Sequence, residues 1–325
     1  MALTDMKVFN DQLQTAIIKK LNQKTDLFNA ASLGALALVN EAMAGDFKEE
    51  AIWNNVSQAL RDVDAYAPQA AVAAIGLSQD QINSVKTMKG FGPIEWEPNQ
   101  LSWIGKNPGE ALSVISDSLS MAIMQDQVNK AIGVLVAGIA NEASATLDVS
   151  ANAGDAGAVT QLTLNSSHAL FGDSSMSLTT QVMTGATVHK LYGQAINNGQ
   201  ELFKADTIRI IDILGKRTVV TDSPALTAGT KERVLSLSSQ SCVIASNDDF
   251  RSVIDETAGN GQTRLMTTYQ AEYTENVSLK GYSWNTAVKS PVKAELETGT
   301  NWSLVMPLKE SAGVLLIGDP AKGNY

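Results

Sequence analysis

Residues 108–147 read PGEALSVISDSLSMAIMQDQVNKAIGVLVAGIANEASATL, and everything else in the chain must pack against this stretch. Asn107 suits an N-cap, Pro108 the first helical position, and Glu110 sets negative charge near the positive end of the helix dipole. Apolar residues then recur at helical spacing. Leu112, Ile115, Leu119 and Ala122 make one row, and Val114, Met121, Val128, Ile132, Leu135 and Ile139 a second beside it. The spacing predicts one helix over 108–147. At about 1.5 Å per residue it would be about 60 Å long, which suits an extended plate better than a sphere. Gly133 and Gly138 read as points of close contact with another element rather than as breaks.

Upstream, Gly92-Pro93, Trp96, Pro98 and Trp103 bring turns and large aromatics to the start of the helix, which Trp96 and Trp103 are expected to clamp. Before them, the apolar run Ala70–Ile75 leads to an alternating stretch through Val85, Lys86, Met88 and Lys89, which reads as strand or arm. Residues 47–66 mix Trp53, Val56, Leu60 and Val63 with amides and acids at poor periodicity. That is the pattern of an exposed helix, or of an extended loop ordered only against a partner. Residues 1–44 read as helical, with Leu13, Ile17, Ile18 and Leu21 on one face and an Ala- and Leu-rich run from Ala30 to Ala44.

Downstream, the small residues Asn152–Gly157 mark a boundary. An α+β pattern follows: a strand over Thr179–Met183, a helix over Thr184–Asn197, strands at Ile208–Ile213 and Thr218–Thr221, and a stop at Asp222-Ser223-Pro224. Val234–Ile244 alternates apolar residues with serine, as a strand with one wet face would. Two further strands are expected at Arg264–Tyr273 and Val277–Trp284, with Asn276 near their junction. A break over Pro291–Gly299 with one helical turn at Ala294–Leu296, then strands at Trp302–Val305 and Gly313–Ile317, close the chain.

The 325 residues, 44% hydrophobic, can bury a large core in one or two domains. With a single cysteine, Cys242, no intramolecular disulfide forms, and its apolar setting reads as a small buried hydrophobe in a reducing compartment. No apolar run reaches the roughly 18 residues of a membrane span, and no secretion signal opens the chain, so no membrane partner is expected. A net charge of −10 argues against a surface built to grip nucleic acid.

Chemistry-bearing groups do not converge. His168 and His189 lie on separate segments without a neighbouring ligand at metal spacing, so no metal is expected. No phosphate loop or dinucleotide fingerprint appears, so no cofactor is expected either. Ser290 and Lys293 match only the bare spacing of some serine acyl enzymes. Asp248-Asp249 and Asp255-Glu256 are adjacent acids that point to different faces and read as solvated. Catalytic, cofactor-binding and metal residues are therefore all expected to be none, and the chain is not expected to be an enzyme.

In this order, the segments resemble the major capsid protein of tailed bacteriophages, the family with the Hong Kong 97 fold. Gln181-Val182-Met183-Thr184 before its helix is similar to the family's step into the axial domain. Ile213–Pro224 is similar to its strand with a leading Leu-Gly-basic turn and a trailing Asp-x-Pro. Ser290–Leu296 with Thr300-Asn301-Trp302 resembles the close of one capsid subgroup, Ser290 standing where Asn is usual. The resemblance implies an N-terminal arm over 1–45, an extended loop over 46–70, and a peripheral domain over 71–150 with a spine helix at 108–147. An axial domain over 151–285 and a return into the peripheral domain over 286–325 complete it. It also implies self-assembly through hexamers and pentamers into the icosahedral shell of a virion, built in the host bacterial cytoplasm. Scaffold, portal and decoration proteins are the implied partners, and the enclosed DNA is bound without sequence preference. Because arm-like sequence begins almost at once, any scaffold is expected to be a separate protein. Lys48 is the only lysine of the extended loop and lies beside acids, so covalent crosslinking of the kind some members use is not expected. The rival readings are an encapsulin-like compartment shell and a cytosolic two-domain α/β enzyme or ligand-binding protein.

Overall fold

The computed structural model describes residues 3–53, 60–66, 68, 71–76, 78–97, 108–197, 211–213, 215–247, 249–257 and 266–323. In chain order, helix α1 (Leu3–Ala31) is followed by strands β1 (Leu36–Asn40), β2 (Phe47–Trp53) and β3 (Gln79–Trp96), then by helix α2 (Pro108–Ala140) and strand β4 (Thr146–Asp148). Helix α3 (Gln161–His168), strand β5 (Thr180–Met183) and helix α4 (Gly185–Asn197) come next, then strands β6 (Ile211–Ile213), β7 (Lys216–Val220), β8 (Thr227–Ala228) and β9 (Lys231–Leu237). Strands β10 (Cys242–Ser246), β11 (Arg251–Thr257), β12 (Met266–Leu279) and β13 (Tyr282–Trp284), helix α5 (Lys293–Leu296), and strands β14 (Trp302–Leu304) and β15 (Gly313–Gly318) complete the chain.

Pro108 opens α2, where its missing N–H costs nothing. The expected cap Asn107 and the expected clamp residue Trp103 lie outside the described residues, as do the side chains of Trp96, Leu112, Val114 and Ile115. The helix spans 33 residues and stops at Ala140, short of the expected Leu147. Thr146 Oγ1 donates to the Ile139 carbonyl at 2.9 Å, satisfying part of the last turn. Thr146–Asp148 then pairs in parallel with Leu315–Ile317 of β15, so strand pairing overrides the helical pattern there. The two expected apolar rows hold only in part. Leu119 is buried, but Met121 is 55% exposed and Ala122 faces solvent, because the first half of α2 meets α1 and β12 along one stripe only. Every residue from Ala131 to Ile139 is buried, since the second half lies against both sheets.

The first sheet has the order β1-β10-β12-β3-β2, with β11 on the side of β12; the second runs β4-β15-β9-β5-β7-β6, with β8 on β9. Strands β13 and β14 form a separate pair that sets Trp284 edge-on to Trp302, ring centroids 4.8 Å apart. One continuous core joins Ile132 and Leu135 of α2 to Ile244 and Leu279 of the first sheet and to Val182 and Leu235 of the second. Both sheets draw strands from distant parts of the chain. β10 and β12 lie with β1 and β3, whereas β15 returns to lie between β4 and β9.

Three local expectations are corrected. The Ala- and Leu-rich run after α1 is not helical: Leu33 (φ 53) and Gly34 (φ 68) turn the chain through the left-handed region, and β1 pairs in parallel with β10. Asn29 brackets Leu38 from both sides, its Nδ2 donating to the Leu38 carbonyl at 2.7 Å and its Oδ1 accepting from the amide at 2.9 Å. A short apolar run fits either element, and the available partner strand decides. Val234–Ile244 is not one strand with a wet face. It splits into β9 and β10 in different sheets, and the buried Ser238 and Ser241 at the turn donate to the carbonyls of Ser311 (3.0 Å) and Ala312 (2.5 Å). Finally, Asn276 is no junction: β12 runs through it, and its amide donates to Asn247 Oδ1 at 2.9 Å.

Gly133 and Gly138 are close-contact glycines, as expected. A Cβ on Gly138 would strike Leu279 Cδ2, and one on Gly133 would meet the Glu297 side chain. The half-buried Gly193 of α4 has open space around the position of a Cβ. Gly138→Ala is therefore expected to lower stability by about 1–3 kcal/mol despite alanine's helix propensity, and Gly193→Ala to raise it by about 0.5–1 kcal/mol. Denaturant unfolding of the unassembled chain reads both.

Candidate assembly surfaces

Strand β2 pairs antiparallel with the start of β3, from Phe47 opposite Val85 to Trp53 opposite Gln79. The stretch expected as helix or loop thus begins as a strand at the sheet edge. Beyond it, residues 60–66 and 71–76 have no regular structure and are exposed; residues 54–59, including Val56, lie outside the described residues. Trp53 is 63%, Leu60 86% and Tyr66 99% exposed. Large apolar groups left exposed at intervals along one stretch of chain are a signature of a surface meant for another protein. Lys48 sits between Glu41 (2.9 Å) and Glu50 (3.4 Å); the hydrogen bond that it donates to Glu41 leads in raising its pKa, against a smaller cost of burial.

Two buried ionic clusters tie helices to the two sheets. Lys130 and Glu275, 1% and 0% exposed, form a close ion pair between α2 and β12. Gln127 Nε2 donates to the same carboxylate at 2.7 Å, and Asp126 reaches Lys89 of β3 at 3.0 Å. Removing one member of such a buried pair typically costs about 3–5 kcal/mol, because the other charge stays behind. In the second sheet, Glu232 accepts from Lys190 Nζ (3.0 Å), Thr187 Oγ1 (3.2 Å) and the Val159 amide (3.3 Å). Neither cluster was legible in the sequence beyond a charge in an otherwise apolar run.

A groove also missed by sequence reasoning lies beside the second half of α2, lined by the Ser223–Ala225 turn, Arg233 and the 293–300 strap. The only forewarning was Arg233 next to the apolar Val234-Leu235 of β9.

The residues weighed for chemistry remain apart. His168 is buried, its Nε2 3.0 Å from Ser236 Oγ and 3.2 Å from Gln181 Nε2. Burial, helped by the charge of Lys216, lowers its pKa to about 4, so it is neutral near pH 7. His189 is exposed on α4, its ring 6.0 Å from Tyr192. The Cys242 thiol is buried, and that burial pushes it up to about 12 against the pull of Lys130. Ser290 is exposed with φ 47, a conformation that asparagine adopts more readily, and Lys293 pairs with Glu297 at 3.7 Å. Asp249 is not simply solvated: it accepts from the Thr274 amide (2.8 Å) and hydroxyl (2.5 Å). Asp255 is exposed on β11, while Asp248 and the Glu256 side chain lie outside the described residues. Among the described residues, no group of three or more His, Cys, Asp or Glu side chains is placed to hold a metal, and no helix is long and apolar enough to cross a membrane.

A family model described as Gp13-like, Major capsid protein 13-like, matches residues 5–315. A search of curated proteins returns no match. Among solved structures, the capsid asymmetric unit of cyanophage Pam1 aligns over 87% of this chain and 89% of its own, with a TM-score of 0.54 at 13% identity. The capsid of Ralstonia phage GP4 aligns over 88% and 87%, with a TM-score of 0.52 at 10% identity. The holo-SrpI encapsulin complex from Synechococcus elongatus PCC 7942 aligns over 89% and 86%, with a TM-score of 0.52 at 8% identity. At these identities the structural likeness speaks to the fold alone.

His168 makes stability depend on pH. With its folded pKa near 4 and an ordinary value of 6.5, the unfolded chain takes up the proton first as pH falls. The contribution is complete above about pH 6.5, declines toward pH 4, and amounts to roughly 3 kcal/mol at most. Asp117 and Asp173, held low by hydrogen bonds from Lys24 and Lys309, act only at lower pH. His168→Gln is expected to flatten the loss of unfolding free energy between pH 7 and pH 4.5, read by denaturant titration at both values.

Proposed function

The chain belongs to the Gp13-like family of major capsid proteins and has the Hong Kong 97-type α+β fold, and from that premise we propose how its parts divide the work of building a phage head. Copies of the chain self-assemble into the icosahedral shell that encloses phage genomic DNA. The observation that carries this function is the family match across residues 5–315. An encapsulin shares the fold, but the family match favours a phage head over a cargo compartment.

The finer division is our reading. Residues 1–45 act as the N-terminal arm and 46–70 as the extended loop. Residues 71–150 form the peripheral domain around α2 as its spine, 151–285 the axial domain, and 286–325 the return into the peripheral domain. Hexamers and pentamers are the capsomers, and a scaffold, a portal and decoration proteins are partners in host cytoplasmic assembly. No reaction is needed: the chain works by binding copies of itself. The exposed Trp53, Leu60 and Tyr66 support the loop assignment, since burying such groups between copies supplies association energy that the lone chain forgoes. The net charge of −10 supports a wall that contains DNA without gripping it.

Light scattering with negative-stain imaging tests the function: capsomers or closed shells of megadalton size are expected, holding DNA rather than an enzyme cargo after infection. Trp53→Ala is expected to cut shell yield at least about tenfold while leaving the thermal midpoint of the unassembled chain unchanged, because that side chain contributes little to the chain's own core. Normal shells from this variant would remove the extended-loop assignment.

A further inference from the structure

The groove beside α2 has a volume of about 550 Å3 and an apolar floor that includes Val136, Ala137, Ala140 and Ala225. Two of its polar groups lack partners among the described residues, although the Glu297 carboxylate also lines it. Ser223 is 2% exposed, and among the described residues its Oγ has no hydrogen-bond partner. Arg233 donates through Nη1 to the Ala225 carbonyl at 3.0 Å, but its Nε is buried with no acceptor among the described residues. Burial lowers the Arg233 pKa, only partly offset by Asp148, whose carboxylate is engaged by Lys231 at 2.8 Å. Lys293 adds positive charge at the rim, loosely matched by Glu297 at 3.7 Å. A desolvated guanidinium and an unsatisfied hydroxyl that line one groove suit a carboxylate, and leaving such donors unpaired costs stability.

The chain carries a complementary segment, Leu60-Arg61-Asp62-Val63-Asp64-Ala65-Tyr66. Every one of its residues is exposed, so in its own chain it lies in no groove. Asp64 is committed locally, accepting from the Tyr66 amide at 2.9 Å. Among the described residues none pairs with Asp62. We propose that the groove is the socket for Asp62 of a second copy of this chain. Its carboxylate takes the hydrogen bonds of Arg233 and Ser223, while Leu60 and Val63 lie on the apolar floor. This rests on the extended-loop reading above and adds to it a definite acceptor and a charge that sets the register between copies.

Charge reversal tests it in the full chain, scored by shell yield in sedimentation and negative stain. Arg233→Glu and Asp62→Arg are each expected to lower yield at least about tenfold, and the two together to restore it to within about threefold of the starting protein. Asp62 is exposed, so Asp62→Arg leaves folding intact. If Arg233→Glu does not fold, Asp62→Cys combined with Lys293→Cys gives a second readout. Mild oxidation of assembled shells should then link copies covalently, against a background in which Cys242 is buried. Normal shells from Asp62→Arg, no recovery in a folded reversed pair, or no covalent link between copies would each overturn the socket. Normal shells from Asp62→Arg alongside failed assembly of Trp53→Ala would overturn the socket while keeping the loop overlap. Normal shells from Trp53→Ala would remove the overlap itself.

Discussion

The second half of α2 is buried almost all round, and the remainder of the fold depends on covering it. From Ala131 to Ile139 every residue is buried, so both sheets and the β13–β14 pair must approach the same two and a half turns of helix. That approach is possible because Gly133 and Gly138 remove the Cβ atoms that Glu297 and Leu279 would otherwise meet. The core that results includes Val182 and Leu235 from one sheet and Ile244 and Leu279 from the other, with Trp284 and Trp302 edge to face. The two halves of the chain therefore share one hydrophobic core instead of folding around two.

Around that core, polar groups set position more than they add net stability. The Lys130–Glu275 pair loses both hydration shells, and its attraction does little better than offset that cost; its effect is to make a displaced α2 expensive. Asn29 around Leu38, Asn276 with Asn247, and the serines of the β9–β10 turn act in the same way on the sheets. Each satisfies a particular donor or acceptor, so a slipped strand would leave a buried group unpaired.

What the core does not cover is the working surface. The first sheet ends in β2, whose outer edge carries no strand among the described residues, and Trp53 at its end with Leu60 and Tyr66 beyond it are in the open. A subunit of a shell tolerates this because its stability is completed by its neighbours, as in oligomers whose interfaces resemble a core cut in half. The groove by Arg233 is the concave counterpart of that surface.

The long helix, the close-contact glycines, the buried Cys242, the β5-to-α4 step and the short closing strands could be read from the sequence, because local spacing and residue size set them. So could the capsid character of the chain, carried by the order of its segments. Local pattern could not say that α2 ends at Ala140, that Leu36–Asn40 is a strand, or that Val234–Ile244 divides between two sheets. In each case the deciding contact lies with a strand far away in sequence, β15 for Thr146–Asp148 and β10 for Leu36–Asn40. The groove is the extreme case. Arg233, Ser223 and Lys293 carry no shared motif and come from three separate segments, so only the packing of α2 against the second sheet brings them to line one groove.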